Sequence, residues 1–284
     1  MLTSTAAAAP RPLRVVTFNL FHGGPASGWT GDDGELERRL AMVERGLREL
    51  APDVIALQEA SIGPRRGNIA ERLGRALGMH AVHAPATSRL LSPNVLNRVV
   101  VWLIRFNEGP AILSRFPITA VATFDLPHCA RRLDPRVLLR AEVATPWGPL
   151  AVFSTHVSRD DCQLRRVGEV VGTRRSPLPA IVMGDFNTAE TASAIEELTA
   201  AGVVDAFRAA NPTAPGLTTR QRIYADAPTV FRRIDYIFVV PGTQARAHVL
   251  TSRVVFDAPE RGADGRALWP SDHYGVYAEI GFEN

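Results

Sequence analysis

The chain has 284 residues, and 32 basic side chains against 29 acidic ones leave a formal charge of only +3. Every basic residue is arginine, so Schiff-base chemistry on lysine and the lysine of a nucleotide-cradling P-loop are excluded, and no GxxxxGK[ST] string occurs. A 46% hydrophobic and 21% charged composition excludes a disordered chain and fits a globular protein with a sizeable core.

The all-arginine usage, beside many Ala, Gly and Pro, is what a GC-rich genome gives, although arginine is also the better fork for a phosphate. Two cysteines, Cys129 and Cys162, cannot build a disulfide framework or a four-thiolate zinc site, and a reduced pair is the default. The longest candidate for membrane burial, Val99 to Ile104, is bracketed by Arg98 and Arg105 and falls far short of the roughly 20 residues a spanning helix needs. Met1 to Pro12 lacks a basic start and a strong apolar stretch, which reads as a flexible tail rather than a secretory signal. Residues 13–284 read as one domain, and a cytoplasmic monomer is the expectation.

In chain order, Leu13 to Leu20 is dense in β-branched and aromatic residues and predicts a strand, followed by a Gly-rich loop from Gly23 to Gly34. Leu36, Leu40, Val43, Leu47 and Leu50 recur at steps of four and three and predict an amphipathic helix, stopped by Ala51-Pro52-Asp53. Val54 to Leu57 is short enough for a buried strand ending at Gln58-Glu59. Further strands are expected at Pro110 to Leu113, Ile118 to Phe124, Val137 to Val143, Leu150 to Thr155, Ala180 to Met183, Ile234 to Val240, His248 to Phe256 and Tyr274 to Ile280. Helices are expected near Asn68 to Leu77, Arg159 to Val171 and Thr191 to Ala200. Many strands and few helices fit two sheets packed face to face with helices outside better than one open parallel sheet.

Polar residues sit where these strands end: Asn19, Glu59, His156, Asp185 with Asn187, and Asp272-His273. A strand end delivers a side chain to a shared rim while the apolar run behind it fixes its position. Each residue alone is explained by capping, a turn or a satisfied histidine. Together they supply hard oxygen ligands for a divalent cation, a base of near-neutral pKa and neutral donors for charged oxygens, the requirements of phosphoester hydrolysis. Carboxylates and amide oxygens suit magnesium or manganese, one or two ions, rather than zinc.

Seven strings stand in order along the chain. They are Thr17-Phe18-Asn19, Leu57-Gln58-Glu59, Gly109 to Pro117, Ser154-Thr155-His156, Gly184-Asp185-Phe186-Asn187, Arg233 to Ile237 and Ser271-Asp272-His273. From about residue 13 to 281 the chain thereby resembles the endonuclease/exonuclease/phosphatase superfamily. The resemblance implies a four-layer α-β-β-α sandwich, an α+β fold of two packed mixed sheets with outer helices, with metal-assisted in-line attack of water on phosphorus. It implies Glu59 as principal metal ligand supported by Asn19, with Asp272 and also Asp185 and Asn187 as further ligands. Asp235 would orient His273, Asp185 would align or deprotonate the water, and Asn187 would hold a non-bridging oxygen. His156 would bind phosphate or protonate the leaving oxygen, and Arg136, or failing that Arg140, would clamp the phosphate.

The branch is read from one departure and from arginine pairs that could track a phosphate backbone or form a solvated surface. The segment Gly216 to Arg220 lacks the aromatic residues that nucleases of this superfamily present to DNA, and the arginine pairs at 65–66, 131–132, 165–166, 174–175 and 232–233 are scattered among acids. The apolar stretch Val95 to Phe106, with Trp102, reads as core or as a hydrophobic rim for an apolar-tailed substrate. A phosphodiesterase or phosphatase acting on a small or lipid-linked phosphoester is therefore the favoured reading, with a DNA or RNA nuclease as the alternative. A catalytically silent binding module is the remaining one, and the intact set of site residues argues against it.

Overall fold

A computed structural model describes residues 11–22, 35–63, 66–86, 107–127, 136–159 and 161–283. The Gly-rich loop, the segment Val95 to Phe106 and Cys129 lie outside the described residues.

The first sheet contains β1 (Leu13–Asn19), β2 (Val54–Gly63), β3 (Gly67–Asn68), β4 (His80–His83), β5 (Asn107–Ser114), β12 (Arg246–Val255) and β15 (Gly275–Glu283). Its seven strands run in the order β12-β15-β1-β2-β5-β4, with β3 paired to β2. The second sheet contains β6 (Ile118–Asp125), β7 (Val137–Thr145), β8 (Gly148–His156), β9 (Ala180–Asp185), β10 (Val204–Asp205) and β11 (Asp235–Val240). Its order is β10-β11-β9-β8-β7-β6. Both sheets are mixed: β1–β2 and β8–β9 are parallel pairs inside otherwise antiparallel ladders. A two-stranded ribbon, β13 (Glu260–Arg261) with β14 (Ala267–Leu268), stands apart.

The described residues include five helices: α1 (Leu36–Leu50), α2 (Ile69–Leu77), α3 (Asp161–Gly172), α4 (Ser193–Ala200) and α5 (Ala206–Ala210). Helix α1 buries the predicted stripe of Leu36, Leu40, Val43 and Leu47. Helix α2 starts where Asn68 accepts the Glu71 N–H and stops at Gly78, whose φ of 66° only glycine adopts without strain.

Strand periodicity sorts these side chains into layers. Leu13 and Val15 of β1 face the second sheet, in a core shared with Val54, Ala56, Val152, Ile181 and Ile237. Val16 and Phe18 face the other way, onto α1 and α2 with Ile55, Leu57, Leu40 and Leu73. On the far side Phe153, Val182 and Phe238 pack with Leu164, Val167 and Ile195 of α3 and α4. Three cores between four layers make the α-β-β-α sandwich that the sequence implies.

The rim that matters lies where both parallel pairs end. Asn19 is the last residue of β1, His156 of β8 and Asp185 of β9, with His156 in register with Asp185. Gly184 has no side chain because a Cβ there would come within 2.1 Å of the Thr155 carbonyl oxygen. Two expectations are corrected. Strand β2 does not end at Glu59 but runs on to Gly63, and Glu59 sits in a bulge between Leu57 and Ala60 with φ 53°. A bulge re-aims the side chain it carries, so Glu59 reaches the rim from within a strand. The cysteines are not a reduced pair, for Cys162 is disulfide-bonded.

Candidate active site

Asp185 is the centre of the arrangement. Its Oδ2 accepts from Asn19 Nδ2 at 3.1 Å and lies 3.4 Å from His156 Nε2 and 3.7 Å from His273 Nε2. Its Oδ1 accepts the backbone N–H of Asn187 at 2.8 Å, which a left-handed Asn187, φ 49°, turns back onto it. The Asn187 amide then sits 3.1 Å from His156 Nε2 and donates to the Val157 carbonyl at 3.0 Å.

Behind His273, Asp235 Oδ2 is 2.9 Å from Nδ1, so the imidazole is fixed through one nitrogen while the other faces Asp185. Thr219 Oγ1 is also within 3.3 Å of that second nitrogen, a contact the sequence did not point to. Ser271 ties the loop down: its hydroxyl donates to the Asn19 carbonyl at 2.6 Å and accepts the His273 N–H at 3.2 Å.

On the first sheet Asn19 Nδ2 also donates to Glu59 Oε1 at 3.2 Å, so one amide joins carboxylates from both sheets. The Asn19 oxygen is engaged by the Phe21 N–H at 3.0 Å. Asp272 contacts Arg220 at 3.5 Å, and its Oδ1 is buried without a hydrogen-bond partner. A buried, unpaired carboxylate oxygen is costly unless a cation completes it, and Glu59 and Asp272 offer hard oxygen donors of the kind a divalent ion takes. The residues therefore fit such an ion.

Burial sets the proton affinities. It pushes the Asp185 carboxyl up to about 7 against the opposing charge of His273. Burial alone would lower His273, but the Asp235 and Asp185 carboxylates outweigh it and hold the imidazole well above its ordinary range. His156 is held well below its ordinary value by burial and by the positive charges of Arg136 and His273. Burial, with the neighbouring charge of Glu59, raises Asp272.

All the expected residues except Arg140 thus converge on this rim. Arg136 lies near enough for its charge to act on His156, whereas Arg140 is turned along β7 to Glu142 at 3.0 Å. Several paired arginines are spent on ion pairs: Arg165 meets Glu197, Arg166 meets Glu169, and Arg233 meets Asp205 and Glu190.

Residues 16–273 match the model of the Endonuclease/Exonuclease/phosphatase family. The chain belongs to this family. Its members hydrolyse phosphoester bonds with a divalent metal, so the chain is an enzyme of that kind and the silent binding module is set aside. Among curated proteins none matches the chain. Solved structures share its fold. An endonuclease/exonuclease/phosphatase from Beutenbergia cavernae DSM 12333 is 21% identical with a TM-score of 0.70, over 97% of this chain and 72% of that one. A mannosyl-6-phosphatase from Bacteroides thetaiotaomicron VPI-5482 is 20% identical with a TM-score of 0.71, over 94% and 99%. TDP2 from D. rerio, solved with a single-strand DNA product, is 20% identical with a TM-score of 0.68, over 95% and 98%.

One flank of this family member's site was missed in the sequence. Phe21, Arg220, Arg222, Ile223, Thr229, Phe231 and Asp272 line a cleft of about 590 Å³. Phe231 stands 64% exposed there, held by its N–H on the Thr219 carbonyl at 2.7 Å. Phe231 lies on the arm that pairs antiparallel with the Gly216 to Arg220 segment, through the Thr219–Arg232 bridge. No described helix is long and apolar enough to cross a membrane.

Proposed function

We propose that this enzyme cleaves a small or lipid-linked phosphoester by attack of a water molecule held at Asp185, with magnesium or manganese at Glu59 and Asp272. The ion, when bound, supplies positive charge to the phosphoryl oxygens. Asn19 bridges Glu59 to Asp185 and would offer its own oxygen as a ligand by turning its amide over. Asp185, with a pKa near neutrality, is suited to take the proton of the attacking water. Asp235 fixes the His273 ring through Nδ1 and stabilises its charged form, so that Nε2 presents a proton toward the phosphate. Asn187, neutral His156 and Arg136 take the remaining phosphoryl oxygens, and His156 stands nearest in role to the departing oxygen.

The observation that carries this reading is the meeting of Asn19, His156 and His273 on one oxygen of Asp185, with Asp235 behind. A cleft of about 590 Å³ beside Asp272 is of the size that holds a small molecule. The test is a panel of sugar phosphate, bis-p-nitrophenyl phosphate, sphingomyelin vesicles, plasmid and abasic DNA, each with magnesium and with EDTA. Hydrolysis of a small or lipid-linked ester that EDTA abolishes is the expected result, and full activity in EDTA after dialysis overturns it.

A second reading, a nuclease, is favoured by exposed Phe231 beside Arg220 and Arg222, a stacking surface flanked by cations. Cleavage of single-stranded DNA that falls steeply with salt, and no turnover of the small esters, would select it.

A further inference from the structure

Glu59 presents its two carboxylate oxygens in different directions. Oε1 faces Asn19 and the catalytic centre, as described above, while Oε2 faces a second group of ligands on the outer flank of the first sheet. There His22 Nε2 lies 3.2 Å from Glu59 Oε2 and in closer contact still with Glu108 Oε2, and the His22 backbone N–H donates to Glu59 Oε2 at 3.2 Å. The three ligand atoms lie within 4.8 Å of one another.

That spacing is near what an ion requires. Donors around a tetrahedral ion at the usual N and O bond lengths stand roughly 3.4 Å apart. The residues are brought together by three separate elements: His22 follows the end of β1, Glu59 occupies the bulge of β2, and Glu108 lies on β5 opposite Ser61, at the outer end of that bulge. Two carboxylates converge on one imidazole, with the buried Arg66 guanidinium near enough for its charge to act on that ring. Glu108 Oε2 is shielded from water. A divalent ion neutralises both carboxylates, and an imidazole donor beside them shifts the preference from magnesium toward borderline ions such as manganese or zinc.

We propose that His22, Glu59 and Glu108 form a second cation site for a borderline divalent ion, sharing Glu59 with the catalytic ion. The inference rests on the reading above in which Glu59 and Asp272 hold that catalytic ion. Glu59 would be the bridge, so that occupancy of the outer site fixes the carboxylate that the inner site uses.

The test is manganese binding to the full chain after removal of metal, with free ion counted by electron paramagnetic resonance and nitrogen coupling read by electron spin-echo modulation. The intact chain is expected to bind two ions, and H22N with E108Q one, with the histidine nitrogen coupling of the outer ion lost. D272N, which weakens the inner site only, should retain one ion with that nitrogen coupling. Thermal melting of each variant separates loss of a ligand from loss of fold, and D272N tests the outer site without touching His22 or Glu108. One ion in the intact chain and one of equal affinity in the double variant overturns the second site, leaves the catalytic reading standing, and makes the cluster an ion pair only. Two ions in both overturns the location. No bound ion in the intact chain overturns both readings.

Discussion

The first and second sheets each deliver a parallel strand pair to the site, β1–β2 and β8–β9, but into different surroundings. On the second sheet Asp185 and Asp235 have side chains only 2% and 0% exposed, and they lie around two buried histidines. On the first sheet Glu59 and Glu108 are 17% and 26% exposed and converge on a single imidazole. Burial moves a proton affinity because it penalises the charged form, whereas carboxylates open to water at a rim are accessible to cations. On the proposed reading, the buried carboxylates of the second sheet handle protons and the more open ones of the first hold the ion, so substitutions at the two should fail in different ways.

The largest effects are expected on the buried rim. H273A and D185N should each lower turnover at least about 100-fold, the usual scale for a positioned acid or base. D235N should cost nearly as much by removing the carboxylate charge that keeps His273 protonated and in place. Steady-state kinetics at saturating magnesium check this, with added metal giving no rescue. Intact turnover in both Asp variants, with H156A inactive, would move the base to His156.

On the open rim E59Q keeps the size of the side chain and removes its charge. The expected loss is rescued in part by metal: the magnesium concentration for half-maximal rate should rise by about 10-fold or more, the scale reported for weakened metal sites. Metal titration of activity measures it. A loss of turnover that metal does not relieve would place Glu59 in proton transfer and break the division between the sheets.

The loop that carries Asp272 and His273 is fastened by a buried residue that touches neither substrate nor ion. Arg39 of α1 is buried, and its guanidinium donates to the carbonyls of Leu20 at 2.9 Å, Phe21 at 2.8 Å and Pro270 at 3.2 Å. It fastens the end of β1, which carries Asn19, to the loop that carries Asp272 and His273. R39M should cost about 3 kcal/mol of stability by leaving buried carbonyls unpaired, and denaturant unfolding reads it. R39K, which keeps the charge but not the fork, should recover only part of the loss.

What the sequence made legible follows from the range of the signals. The α1 stripe and the β-branched, aromatic run of β1 are local, and they predicted the helix and the strand, while the two faces of that strand appear only in the packing. Asn19, His156, Asp185, Asp272 and His273 were legible because apolar runs or known strings flank them. The Glu59 bulge was not, since its extra residue shows only against the register of β5. Arg39 was invisible for a different reason: its Pro270 partner is 231 positions away, and within its own helix it reads as one more polar residue. His22 and Glu108 likewise acquire meaning only once Glu59 is placed between them.

Phe231 gives the smallest expected effect and the sharpest choice between substrates. It lies outside the proton and ion machinery, so F231A should leave turnover of a small soluble diester near its original value. An exposed side chain contributes little to the core, so the melting temperature should also stay close to that of the intact protein. If the cleft beside Asp272 receives a sugar or lipid headgroup, the Michaelis constant for that ester should rise a few-fold, with turnover unchanged, because ground-state and transition-state binding weaken together. If a nucleobase stacks there, the loss should appear on single-stranded DNA and amount to about 1–3 kcal/mol, roughly 5- to 150-fold in binding. Equal values for F231A and the intact chain on every substrate would remove the cleft from recognition and return the choice of substrate to other parts of the rim.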